Sequence, residues 1–81
     1  MIKRDDNSIE LRKILAENIR NYRHRSKLSQ EKLAELCGFH RTYVGSVERA
    51  DRNVTLNTIA IFAQILGVTV PELLSRGAFK K

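Results

Sequence analysis

Ser29 to Val47 reads SQEKLAELCGFHRTYVGSV, and this stretch decides the fold. Ser29 is a favoured N-cap, and Gln30 and Glu31 suit the first turn of a helix. Leu33, Ala34 and Cys37 recur at helical spacing and face inward. Gly38 ends that helix in the left-handed conformation that glycine reaches without strain. A second helix runs from about Arg41 to Arg49. Two short helices around one tight turn have the spacing of a helix-turn-helix, whose second helix can enter the major groove of DNA.

The rest of the chain supplies three more helices and no strand. The first runs from about Ser8 to Arg25, with Asn7 as cap and Glu10 three residues on. Leu11, Leu15, Ile19 and Tyr22 form its inner stripe, and Arg20, Arg23 and Arg25 gather near its end, where cations suit the helix dipole. The fourth helix has Thr55 as cap, Leu56, Ile59, Phe62, Ala63 and Leu66 as its stripe and Gly67 as its stop. The fifth opens on Thr69-Val70-Pro71-Glu72, a capping box with proline in the first turn, and runs to Gly77. The pattern predicts an all-α, five-helix domain over 8–77, with its helix-turn-helix at about 29–49. Residues 1–7 read as a flexible N-terminal segment and 78–81 as a C-terminal tail.

Composition narrows the partners. The 81 residues carry 15 Lys and Arg against 9 Asp and Glu, a net charge of +6, which favours a polyanion. One cysteine excludes an internal disulfide and fits a reducing compartment, so the cytoplasm is expected. No apolar run approaches the ~20 residues that span a bilayer. The basic face has no strong apolar partner face of the kind a membrane-surface helix needs. The chain is too small for a separate sensor domain, so no small-molecule effector is expected. There is no nucleophile elbow, carboxylate pair or phosphate loop, and no catalytic residue is assigned. His24, Cys37 and His40 lack metal-ligand spacing, so neither metal nor cofactor is expected. Cys37 reads as a small core residue.

On a helical wheel of about 100° per residue, Val44 and Val47 of the third helix point to the core. Thr42, Gly45, Ser46 and Arg49 point away from it. Small residues there suit the close approach of another surface, either DNA or a neighbouring helix. Arg41 and Thr42 stand at the front of the helix, where base edges are met, and Arg pairs bidentately with guanine. Tyr43 lies on the flank, placed for a phosphate oxygen. Gln30 at the start of helix two and Asn53 before helix four offer phosphate seats. Arg49 and Arg52 flank the groove and suit the DNA backbone. These contacts position a protein rather than specify sequence.

Ile61 and Ile65 lie on the back of helix four, beside Val68, Val70 and Leu74. Either a second copy or the C-terminal tail covers them. A symmetric dimer explains more, since it sets two recognition helices about 34 Å apart on a near-palindromic operator.

The chain resembles the Cro/cI-type, lambda-repressor-like helix-turn-helix family. The resemblance covers about Leu15 to Leu74 and is carried by Leu15, Ile19 and Arg23, by LSQEKLAELCG (28–38), by VERA (47–50) and by IFAQILGV (61–68). It implies a compact bundle that binds operators as a dimer, with Gln30 on phosphate and with Arg41, Thr42 and Ser46 on bases. Arg23 and Glu48 match a buried ion pair of that family. HRTYVGSVERADRNVTL (40–56) is similar to restriction–modification controller proteins, small dimeric regulators of their own gene and of the endonuclease gene, acting as activator and repressor. In that group Arg41, Thr42, Tyr43 and Arg52 match DNA-contacting positions. Glu31 and Glu35 match acidic positions through which activators of the family touch the sigma subunit of RNA polymerase. An antitoxin or a phage-type repressor of the same fold is the alternative. Three positions depart from the family. Lys27 replaces a glycine and predicts a strained turn. Tyr22 replaces an aliphatic. His40 stands where Ser, Thr or Asp would cap, and its imidazole is assigned to phosphate.

Overall fold

Side-chain caps start three of the helices of this protein. A computed structural model describes residues 4–77, with side chains from Asn7 onward, as α1 (Arg4–Arg25), α2 (Gln30–Cys37), α3 (Arg41–Glu48), α4 (Leu56–Leu66) and α5 (Val70–Leu73). The 78–81 tail lies outside the described residues, as does the part of the N-terminal segment before Arg4. Ser29 Oγ accepts from Lys32 N at 2.9 Å, and Thr55 Oγ1 accepts from Thr58 N at 3.1 Å. Thr69 and Glu72 form the expected capping box, with Thr69 N donating to Glu72 Oε1 at 2.8 Å.

Four of the helices close alike. At the end of α2, Phe39 N donates to Ala34 O and Gly38 N to Glu35 O, with Gly38 at φ 80°. The same pair of bonds ends α4 at Gly67. It also ends α1 and α3, but there the left-handed position is held by Lys27 (φ 60°) and Ala50 (φ 64°). The strain expected at Lys27 is present, and Ala50 carries a second instance that the sequence reading missed. An L-residue in this conformation costs about 1–2 kcal/mol.

Three boundaries differ from expectation. Helix α1 begins at Arg4, so residues 4–7 are helical and Asn7 lies inside the helix rather than capping it. Once a helix is nucleated each further turn gains hydrogen bonds, so polar residues extend it readily. Helix α5 stops at Leu73 rather than Gly77. The reason is Asn18 on α1, whose amide donates to Leu73 O at 2.8 Å and Ser75 O at 2.9 Å. Those carbonyls are thereby satisfied outside the helical pattern. Helix α3 ends at Glu48, one residue early, because Arg49 is its C-cap.

One core joins Leu15, Ile19 and Tyr22 of α1, Leu33 and Ala34 of α2, Val44 and Val47 of α3, Ile59, Phe62, Ala63 and Leu66 of α4, and Leu73 of α5. Leu11 and Leu56 belong to the expected stripes yet are 50% and 74% exposed. Leu56 is the first residue of α4 and Leu11 lies about two turns into α1; both line one open surface concavity with Leu15, Val54, Ile59 and Leu74. Among the described residues no helix is long and apolar enough to cross a membrane.

Candidate nucleic-acid interface

A buried ion pair holds the helix-turn-helix to the rest of the molecule. Arg23 Nε and Nη2 donate to Glu48 Oε2 and Oε1 at 2.7 and 3.0 Å. The two side chains are 10% and 2% exposed. Arg23 Nη1 also donates to Leu28 O at 2.8 Å, and Gln30 Nε2 donates to Glu48 Oε1 at 3.0 Å. Arg20 Nη1 donates to Glu48 O. The Glu48 carboxylate therefore binds α1 through Arg23 and the start of α2 through Gln30, while its backbone carbonyl takes a second α1 arginine, Arg20. A bidentate guanidinium–carboxylate pair fixes orientation as well as distance, so α3 is clamped in register relative to α1 and α2.

Above this anchor lies a shallow concavity lined by Gln30, Arg41, Thr42, Gly45 and Arg49. Arg41 and Thr42 are exposed at the front of α3, and Arg41 has no hydrogen bond or ion pair within the described residues. Gly45 is buried beneath its own neighbours: a Cβ there would lie 3.4 Å from Arg49 Nη1 and 3.7 Å from Gln30 Oε1. The small residue thus makes room first for side chains of this protein. Gln30 keeps a second amide hydrogen for an outside acceptor, and as the first residue of α2 it adds a backbone N–H that the helix leaves unpaired. Arg49 pairs with Asp51 at 3.0 Å on the surface, a contact that solvent weakens. His40 precedes α3 with an extended backbone and no side-chain cap bond, so its exposed imidazole is available to a ligand.

Ser46 departs from expectation. It is 7% exposed rather than on an open outer face. Its Oγ donates to Tyr43 O at 2.7 Å and accepts from Arg52 Nε at 3.2 Å. Eight-residue α3 is too enclosed for a wheel to separate its faces cleanly, and residues 44–48 are all buried. Asn53 is exposed, but Thr55 caps α4, so Asn53 lies outside the helix start; its Oδ1 accepts a long 3.5 Å bond from Ser8. Arg52 lies over the Tyr43 ring with Cζ 5.4 Å from the centroid.

The remaining candidates lie on other faces. Glu31 and Glu35 are exposed on α2 along a surface shared with Ser29, Lys32, Phe39 and His40, and Lys32 Nζ lies 2.9 Å from Glu35 Oε1. Ile61, Ile65, Val68, Val70 and Leu74 are half-buried; all but Ile61 pack against the core. Burial pushes the Cys37 thiol up to about 11, which keeps it neutral and unreactive at ordinary pH. Among the described residues no group of three or more His, Cys, Asp or Glu is placed to hold a metal ion.

A helix presented by a buried bidentate clamp, with exposed cations around its front, is built to bind DNA. The fold and site define a lambda-repressor-like helix-turn-helix DNA-binding regulator. The family model described as helix-turn-helix domain matches residues 14–76, and the chain belongs to that family. It is close to the controller proteins of restriction–modification systems. Control protein C.SmaI of Serratia marcescens is 56% identical over 72 residues, covering 89% of this chain and 86% of that one. Control protein C.BamHI of Bacillus amyloliquefaciens is 42% identical over 65 residues, covering 79% and 80% of the two chains. The solved structure of the restriction-modification controller protein C.AhdI from Aeromonas hydrophila matches with a TM-score of 0.73 at 42% identity, covering 76% of this chain and 94% of that one. These relatives are regulators, not enzymes.

Proposed function

We infer that two copies of this chain bind a near-palindromic operator in the cytoplasm and control a restriction–modification system. In this reading the protein regulates its own gene and the endonuclease gene, as activator and repressor. The observation that carries it is the clamped α3 with Arg41 and Thr42 free at its front, together with the likeness to controller proteins on both sequence and structure.

Arg41 and Thr42 meet base edges, where a bidentate arginine–guanine pair discriminates by about 1–3 kcal/mol. Gln30, His40, Tyr43, Arg49, Arg52 and Asn53 meet phosphates and set register. The half-buried Ile61, Ile65, Val68, Val70 and Leu74 supply the dimer contact. Such a dimer is isologous, so the operator mirrors its two-fold axis. Glu31 and Glu35, exposed on α2, are the surface offered to the polymerase sigma subunit during activation.

The test is selection from random duplexes followed by gel shift. The expected product is an inverted repeat with half-sites about one helical turn apart. Arg41→Ala relaxes preference at one position per half-site, whereas Gln30→Ala weakens all sequences alike. A selected site without two-fold symmetry, or equal loss of specificity from both variants, refutes the assignments.

A further inference from the structure

Ser46 and Arg52 form a unit that the base-contact reading of Ser46 does not explain. A serine hydroxyl has one proton, and here it is committed to Tyr43 O at 2.7 Å. The oxygen therefore faces outward as an acceptor only, and Arg52 Nε fills it at 3.2 Å. The guanidinium is held on a second side by the Tyr43 ring, 5.4 Å from its centroid. Tyr43 in turn meets Phe39 edge-on with ring centroids 5.2 Å apart, and Phe39 packs on the fully buried Phe62 at 5.4 Å. The support under Arg52 thus runs into the core. Its terminal nitrogens make no hydrogen bond among the described residues. Among the described residues the other two arginines of this surface lack such support: Arg41 makes no hydrogen bond or ion pair, and Arg49 pairs with an exposed carboxylate.

We propose that Ser46 is a positioning residue. It does not read a base; it presets Arg52 so that the two terminal nitrogens meet a DNA phosphate as a ready fork. A flexible arginine loses rotamer freedom when it docks, and a preset one loses less. The bond from Nε leaves the Nη edge free, which is the edge that pairs bidentately with phosphate oxygens. This rests on the reading that Arg52 contacts the DNA backbone.

The experiment is a double-variant cycle with Ser46→Ala, Arg52→Ala and the pair, on a duplex selected by the wild-type protein and on an unrelated duplex. The order parameter of Arg52 Nε–Hε is measured by NMR in the free protein alongside. Expected is a roughly two- to tenfold loss for Ser46→Ala. The loss is the same for every base substitution, and the salt dependence is unchanged. Arg52→Ala lowers the salt slope by about one, and on that background Ser46→Ala adds nothing. Ser46→Ala also lowers the Arg52 order parameter, while melting stays near wild type.

An undiminished Ser46→Ala effect on the Arg52→Ala background overturns the proposal, as does a loss confined to one base pair. If Arg52→Ala leaves affinity and salt slope unchanged, the phosphate role of Arg52 falls and the proposal with it. That failure is distinct from failure of the clamp itself, in which Arg52→Ala weakens binding but Ser46→Ala leaves the order parameter unmoved.

Discussion

Replacing Arg23 with methionine removes the guanidinium and keeps much of the side-chain volume. It strands the Glu48 carboxylate, 2% exposed, with Gln30 Nε2 as its remaining side-chain donor. The lost contacts are two charge-assisted bonds at 2.7 and 3.0 Å and the bond from Arg23 to Leu28 O at 2.8 Å. Breaking one side of a buried pair costs about 3–5 kcal/mol. A domain of this length holds roughly 4–12 kcal/mol in total, so at least about a quarter of the stability, and near the lower bound all of it, is at stake. At roughly 4–8 °C per kcal/mol, Tm falls by at least about 12 °C. Urea denaturation of Arg23→Met, Glu48→Leu and the double variant measures the effect. Both single variants are expected to be badly destabilised. The double variant should recover to within about 2 kcal/mol of wild type, because an apolar pair has no stranded charge. It should nevertheless bind operator more weakly, since α3 and Gln30 lose the anchor that sets their register. A single variant that loses less than about 1 kcal/mol, or a double variant as unstable as the singles, refutes the argument.

Other expectations follow from single sites. Asn18→Ala frees the carbonyls of Leu73 and Ser75 and should cost about 2–3 kcal/mol in urea melts; a loss under ~0.5 kcal/mol contradicts the role given to that amide. Lys27→Gly and Ala50→Gly relieve positive φ at both positions; each should raise stability by about 0.5–1 kcal/mol, the steric relief exceeding the entropy that glycine adds to the unfolded chain. Cys37, with its thiol raised from 9.0 to about 11 by burial, should react with a disulfide reagent at neutral pH about tenfold more slowly than an open thiol, the smaller thiolate fraction being partly offset by the greater nucleophilicity of a higher-pKa thiolate. Because the folded value is the higher one, Cys37 stabilises below pH 9, and that contribution is lost as pH rises from 9 to 11. Melts of Cys37→Ala should therefore show a shallower alkaline decline than the wild type.

Much was legible without coordinates because it is local. The caps Ser29, Thr55 and Thr69 and the stops Gly38 and Gly67 act within a few residues of themselves, so their types declare their roles. The stripes of α1 and α4 follow helical periodicity and were correct through their middles, from Leu15 to Tyr22 and from Ile59 to Leu66. They failed at Leu11 and Leu56, where periodicity persists but the side chains line an open surface concavity rather than the core. The pairing of Arg23 with Glu48 was expected from family likeness and is present. Asn18 carries no sequence signal, since a lone asparagine inside a helix reads as an ordinary polar surface residue.

The chain's own order of residues therefore determined the succession of helices, the starts capped by Ser29, Thr55 and Thr69, the stops at Gly38 and Gly67, the helix-turn-helix and the chain's basic character. Each of these depends on neighbours along the backbone or on summed charge. Tertiary structure alone decided that Ser46 lies under Arg52, that Gly45 is covered by Arg49 and Gln30, and that Asn18 closes α5. Those contacts join residues whose side-chain directions are set by how helices pack, and helical period does not encode the depth at which a neighbouring element buries a face.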